Sequence, residues 1–232
     1  MLIALLNYAV AAPWLLPSSE AQEAGHGELS GGFWMFSYRR QLTEDVSRLD
    51  LDPSAVLHGS YTPVKGLQLS ATLGVGPQDV AVVPTLSVRY NFIERERVRL
   101  GVWIFGSWMH QGLDDPANVI DYGTGFSMEA GWKNLRFDLS TPILGGEVGN
   151  SYLFEFGPIS PIVHLLPEAG IRGIYKEHSL RVGIFHTFVN MDYRYSRERW
   201  FVQVGGMVDV VHFTAQEYTM PTVGRLEAGW RF

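Results

Sequence analysis

The segment Val223–Phe232 carries two kinds of side chain in strict alternation. Leu226, Ala228, Trp230 and Phe232 fall on one side, and Arg225, Glu227, Gly229 and Arg231 on the other. Successive side chains of an extended chain point to opposite faces, so this is a strand with one apolar and one polar face. The pattern recurs along the sequence. Leu67, Leu69, Ala71, Leu73 and Val75 oppose Gln68, Ser70, Thr72 and Gly74; Leu86, Val88, Tyr90 and Phe92 oppose Thr85, Ser87, Arg89 and Asn91. Tyr122, Thr124, Phe126, Met128, Ala130 and Trp132 oppose Gly123, Gly125, Ser127, Glu129 and Gly131. Such a chain is all-β, and its strands must bury one face in a sandwich, a soluble barrel or a lipid bilayer.

Composition narrows the choice. The 25 Gly, 12 Pro and 13% aromatic residues suit a turn-rich β protein. Beyond the N-terminus no apolar run reaches the ~20 residues of a spanning helix. A membrane form of this chain must therefore be a closed barrel, because only helices and barrels satisfy their backbones in lipid. The absence of cysteine excludes disulfides and thiolate sites. The net charge of −6 disfavours nucleic acid as a partner.

Residues 1–21 read as a secretory signal peptide. An apolar run through Leu16 precedes Ser19 and Ala21, a small-x-small cleavage pattern, although no Lys or Arg comes before the run. Residues 22–31 are Gly-rich and read as a flexible lead-in, and residues 32–232 as one barrel domain. The closing Gly229-Trp230-Arg231-Phe232 resembles the C-terminal assembly signal of bacterial outer-membrane β-barrels. The resemblance implies a bacterial outer-membrane location, contact with lipid and lipopolysaccharide, and Gly229, Trp230 and Phe232 as residues read by the barrel-assembly machinery. It also implies that both chain ends lie in the periplasm, hence an even number of strands.

The expected architecture is a single antiparallel up-and-down transmembrane β-barrel of 12 strands, with 10 as the alternative. Tyr152–Phe156 is counted as one strand, Leu180–Val189 as another, and the polar stretch Gln41–Pro53 as a long loop. Short turns at 63–66, 94–97 and 133–134 alternate with longer connections, as in barrels with short periplasmic turns and long outer loops. Tyr61, Phe92, Trp132 and Trp230 fall near the short-turn side of the apolar face, where aromatic rings settle at the lipid headgroups.

A soluble barrel would turn the polar face to solvent. Against it, Gly74, Gly101, Gly123, Gly125, Gly131, Gly183 and Gly229 share that polar face. Glycine is wasted on a solvated face, but on a crowded lumen wall it admits large side chains from other strands. The lumen face then carries Arg89, Arg99, Arg136, Arg172, Arg181, Arg225 and Arg231, with Glu129, Asp138, Asp209 and Glu227.

Charges enclosed in a barrel must pair or sit in water, since an unpaired desolvated ion costs several kcal/mol. Two readings follow. An Arg-biased, water-filled lumen makes a small porin-like channel favouring anionic solutes. A salt-bridged lumen makes a filled structural or adhesion barrel acting through its outer loops. A third reading, an outer-membrane hydrolase, needs a convergent nucleophile, base and acid. His58 with Ser60, and His110 near Asp114 and Asp115, have no distinctive spacing. No catalytic residue, metal ligand or cofactor is assigned, and the acidic loops read as solvated.

Overall fold

The computed structural model describes residues 23–41, 47–75, 82–111, 117–149, 167–185, 188–209 and 222–232. Twelve strands follow in chain order: β1 (Gly27–Gln41), β2 (Ser47–Val64), β3 (Leu67–Val75), β4 (Val82–Glu94), β5 (Val98–Gln111), β6 (Ala117–Gly131), β7 (Leu135–Gly149), β8 (Glu168–Tyr175), β9 (His178–Phe185), β10 (Phe188–Arg197), β11 (Trp200–Asp209) and β12 (Thr222–Arg231). Each strand pairs antiparallel with its sequence neighbours, and β12 returns to β1. The sheet closes without an edge, and the ten-strand alternative falls. Among the described residues there is no helix.

Closure is made by Gly27 and Phe232, which exchange both backbone hydrogen bonds at 2.9 and 3.0 Å. The Phe232 ring crosses the glycine so closely that a Cβ at position 27 would meet it at 2.6 Å. Position 27 lies in the segment expected to be a flexible lead-in. The barrel instead begins there, because Gly27–Gly31 pair with Leu57–Tyr61 on one side and Gly31–Ser37 continue the ladder.

The strand roster also differs from expectation. Leu180–Val189 spans two strands, β9 and the start of β10, folded back so that Phe185 pairs with Phe188. The Tyr152–Phe156 segment lies outside the described residues, as does the expected signal peptide. Gln41–Pro53, expected as a loop, mostly belongs to strands: Tyr38 pairs with Asp50 and Arg40 with Arg48. Ladder pairing is made by the backbone and needs no alternation of side-chain type, so strands can run on through a polar stretch that reads as a loop.

Prolines sit where the ladder can spare a donor. Pro63 lies in the register shift between Tyr61 and Val64, and Pro142 lies at the one where β6 passes from Thr124 to Gly125. Pro84 has a ladder partner on β3 and none on β5. Among the described residues Pro53 pairs with β1 alone.

The barrel is inside-out relative to a soluble one. Leu86, Phe33 and Ile184 are 66%, 64% and 59% exposed, whereas Glu168 and Glu129 are 2% and 3% exposed. The apolar residues buried among those described are Trp34, Val56, Trp103, Phe105, Phe201 and Met207, and buried polar residues outnumber them. An apolar band of this extent around a closed barrel matches a lipid-facing surface. Tyr61, Tyr90, Phe92, Trp132, Tyr175 and Trp230 are exposed around the short-turn end, where an aromatic girdle belongs.

Candidate functional site

The polar face of every strand turns into the barrel, where side chains from opposite walls compete for room. Glycine decides which of them reach across. A Cβ at Gly170 would lie 2.7 Å from Arg181 Nη2, so the bare backbone of β8 lets Arg181 of β9 reach Asp138 on β7. Gly183 leaves space for Asn190, Gly205 for Asp192, Gly229 for Phe201, and Gly123 and Gly125 for Phe105 and Trp103. Gly131 adopts φ +149°, and a Cβ there would strike the β7 backbone. Gly74 has open space around it and no such role.

This gives a paired prediction. Gly125→Val places its Cβ 2.4 Å from both the Trp103 ring and the Thr141 carbonyl, and is expected to cost about 1–3 kcal/mol in a vesicle unfolding titration. Gly74→Ala in the same assay is expected to stay within about 0.5 kcal/mol of the parent.

Among the described residues four groups of charges occupy the lumen. Glu129 on β6 receives Arg99 at 3.0 Å and also Arg136. Arg181 donates Nε and Nη2 to Asp138, meets Glu168 at 2.7 Å and gives Nη1 to Asn190 at 2.9 Å. Asn190 in turn donates to Glu168 at 3.0 Å. Glu28 accepts from Arg194 at 2.7 Å and from Arg231 at 2.8 Å, and the Arg194 guanidinium lies 3.7 Å from the Phe201 ring centroid. Arg225 meets Asp192 at 2.7 Å, while Glu227 takes hydrogen bonds from Trp34 at 3.0 Å and Ser30 at 3.2 Å.

Arg89 differs. It is 8% exposed, its Nε donates to Asn91 at 3.2 Å, and it is in ion-pair contact with no carboxylate among the described residues. Arg172 lines the same interior space. Asp209 ends β11 opposite Phe188, and its side chain lies outside the described set. The interior space between these walls has a volume of about 130 Å³. His58 faces it and bonds Thr72 at 2.8 Å. The side chain of His110 and the residues Asp114 and Asp115 lie outside the described set.

Several residues of the site were absent from the expected set: Glu28, Glu168, Asn190, Asp192, Arg194 and the rings of Trp34, Trp103 and Phe201. One signal was available. The expected lumen face held more arginines than acids, so further carboxylates were due at polar positions of other strands. Asn190, Asp192, Arg194 and Ser196 alternate with Met191, Tyr193 and Tyr195, which is the same two-faced pattern read elsewhere.

No family model matches the sequence, and no curated protein does. Solved structures match throughout the fold. An outer-membrane channel from Pseudomonas putida F1 aligns over 93% of this chain and 99% of its own, at 10% identity and a TM-score of 0.61. The chain has the fold of outer-membrane β-barrels. The outer membrane phospholipase of Salmonella typhi, a dimer with bound calcium, aligns over 95% of this chain and 96% of its own at 10% identity and a TM-score of 0.50. The translocator domain of the autotransporter NalP from Neisseria meningitidis covers 99% and 96% at 11% identity, with a TM-score of 0.48. A channel and a phospholipase on one architecture mean that the fold by itself assigns no activity.

Proposed function

We propose that this protein is a narrow channel of the bacterial outer membrane, with an Arg-biased lumen that passes small anionic solutes. The observation that carries the reading is the charge balance inside the barrel. Among the described inward-facing residues Glu129 and Glu28 each serve two arginines and Arg89 is in ion-pair contact with no carboxylate, while Arg181 serves both Asp138 and Glu168, which leaves a small excess of arginine. Charged side chains lining a wet pore set its ion preference. The reading requires continuous water along the charged lining of the interior.

The test is conduction. The refolded barrel in a planar bilayer, under a potassium chloride gradient, is expected to give steady steps with a reversal potential on the chloride side. A protein shown to be inserted but electrically silent would overturn the channel. It would favour a filled barrel acting through its outer loops, a second reading supported by the ion pairs that cross between β7 and β9 and between β10, β12 and β1.

The resemblance at the C-terminus adds a proposal about assembly: Gly229, Trp230 and Phe232 form the stretch that the barrel-assembly machinery reads. Phe232→Ala keeps the backbone pair with Gly27 and removes only the ring. The expected result is export at parental level with a sharply reduced yield of heat-modifiable barrel in the outer membrane. Parental barrel yield would contradict it.

A further inference from the structure

The lumen arginines are not equivalent. Arg99, Arg136, Arg181, Arg194, Arg225 and Arg231 each touch a carboxylate of the wall. Their charges are largely spent in holding strands together. Arg89 is more than nine-tenths buried and lines the cavity, yet Asn91 is its one hydrogen-bond partner among the described residues. Asn91 holds Nε, which leaves the Nη pair as the part of the fork open to a ligand.

The surroundings are donor-rich. On β3 the residue directly across from Arg89 is Gln68, whose buried Nε2 has no partner. Ser87, two residues before Arg89 on the same face, lines the cavity beside it and faces Ser70, whose Oγ is also unpartnered. On β5 the residue across is Trp103, whose Nε1 donates to Ser140 at 3.0 Å. A buried cation beside the unpartnered Gln68 Nε2, with no carboxylate in ion-pair contact among the described residues, is a site that an incoming anion would complete.

We propose that Arg89 is the anion-binding residue of the lumen, taking a small carboxylate on its Nη fork while the paired arginines serve as structure. The proposal rests on the channel reading and gives it a specific residue and solute class. Guanidinium geometry matches a carboxylate with two parallel hydrogen bonds, which an ammonium does not reproduce. The short hydroxyl side chains of the neighbouring wall suit a small solute.

Two measurements test it and separate its failure from that of the channel. In bilayers, Arg89→Gln is expected to keep open steps but lower the chloride-over-potassium permeability ratio several-fold. Arg89→Lys is expected to retain most of that ratio, since it retains the charge. Arg95→Gln, in the exposed turn before β5, is the control for loss of one positive charge and is expected to leave the ratio near the parent. In detergent micelles, the barrel labelled with ¹⁵N-arginine is titrated with sodium acetate. The Arg89 Nε–H resonance, assigned by its loss in Arg89→Gln, is expected to shift saturably, and Arg89→Lys is expected to bind acetate several-fold more weakly by calorimetry.

If the parent conducts with an anion preference that Arg89→Gln leaves intact, the assignment of Arg89 is overturned and the channel stands. If the parent is silent, the channel fails, and the acetate titration alone decides whether Arg89 binds an anion. No saturable shift there overturns the site.

Discussion

Replacing Arg181 by alanine is expected to destabilise the barrel by ~3–5 kcal/mol, the cost of breaking a buried ion pair by removing one partner. Arg181 is the hub of a lumen network, donating to Asp138 and Asn190 and in ion-pair contact with Glu168. Without it, Glu168 keeps Asn190 as its hydrogen-bond donor but loses its countercharge, and it is only 2% exposed. Asp138 loses the same partner. The measurement is guanidinium unfolding of the folded barrel in phospholipid vesicles. A second variant, Arg181→Ala with Glu168→Gln, removes the stranded charge and is expected to recover part of the loss. A change below ~1 kcal/mol, the size of an exposed pair, would mean that water reaches Glu168 freely and that the lumen is wider than these side chains make it.

Ile104→Arg is expected to cost ~2–4 kcal/mol in the same assay, the penalty for arginine at the bilayer midplane of a barrel's outer face. Ile104 is 56% exposed, sits near the middle of β5, and pairs with Val88 and Thr124. Its exposed surroundings are apolar, so the new guanidinium has nothing to pair with except by reaching to a headgroup. The companion Trp132→Arg, at the short-turn end of β6, is expected to cost no more than ~1 kcal/mol because it lies at the interface. Equal, small effects at both positions would contradict a lipid-facing surface.

The faces of the strands were legible because the alternation is local and needs no partner to be read. Gly123, Gly125, Gly183 and Gly229 carried non-local information too. Glycine on a charged face marks a place where something large arrives from elsewhere, and Phe105, Trp103, Asn190 and Phe201 do arrive there. What could not be read was who arrives. Arg181 meets Asp138 across β8, a contact set by the tilt and stagger of a closed barrel rather than by sequence spacing.

Strand bookkeeping failed where turn chemistry is silent. Between Phe185 and Phe188 stand His186 and Thr187, with none of the Gly, Pro, Asn or Asp residues that announce a reversal. The two strands therefore read as one run, and β10 went unrecognised together with Asp192 and Arg194. Glu28 was missed for the opposite reason. The glycines around it suggested freedom, whereas Gly27 is there to pass under the Phe232 ring.

The orientation of the two faces is the claim on which all the rest depends, and the chain offers a clean way to measure it. It has no cysteine, so one introduced at each of positions 102 to 107 on β5 gives a single spin label per variant. With the barrel refolded in vesicles, collision rates with oxygen, which concentrates in lipid, and with a water-soluble nickel chelate are read by electron paramagnetic resonance. The predicted result is a period-two pattern: high oxygen and low nickel accessibility at 102, 104 and 106, and low oxygen accessibility at 103, 105 and 107. High nickel accessibility at 102, 104 and 106 would place the apolar band in water and contradict the membrane barrel and the channel built on it.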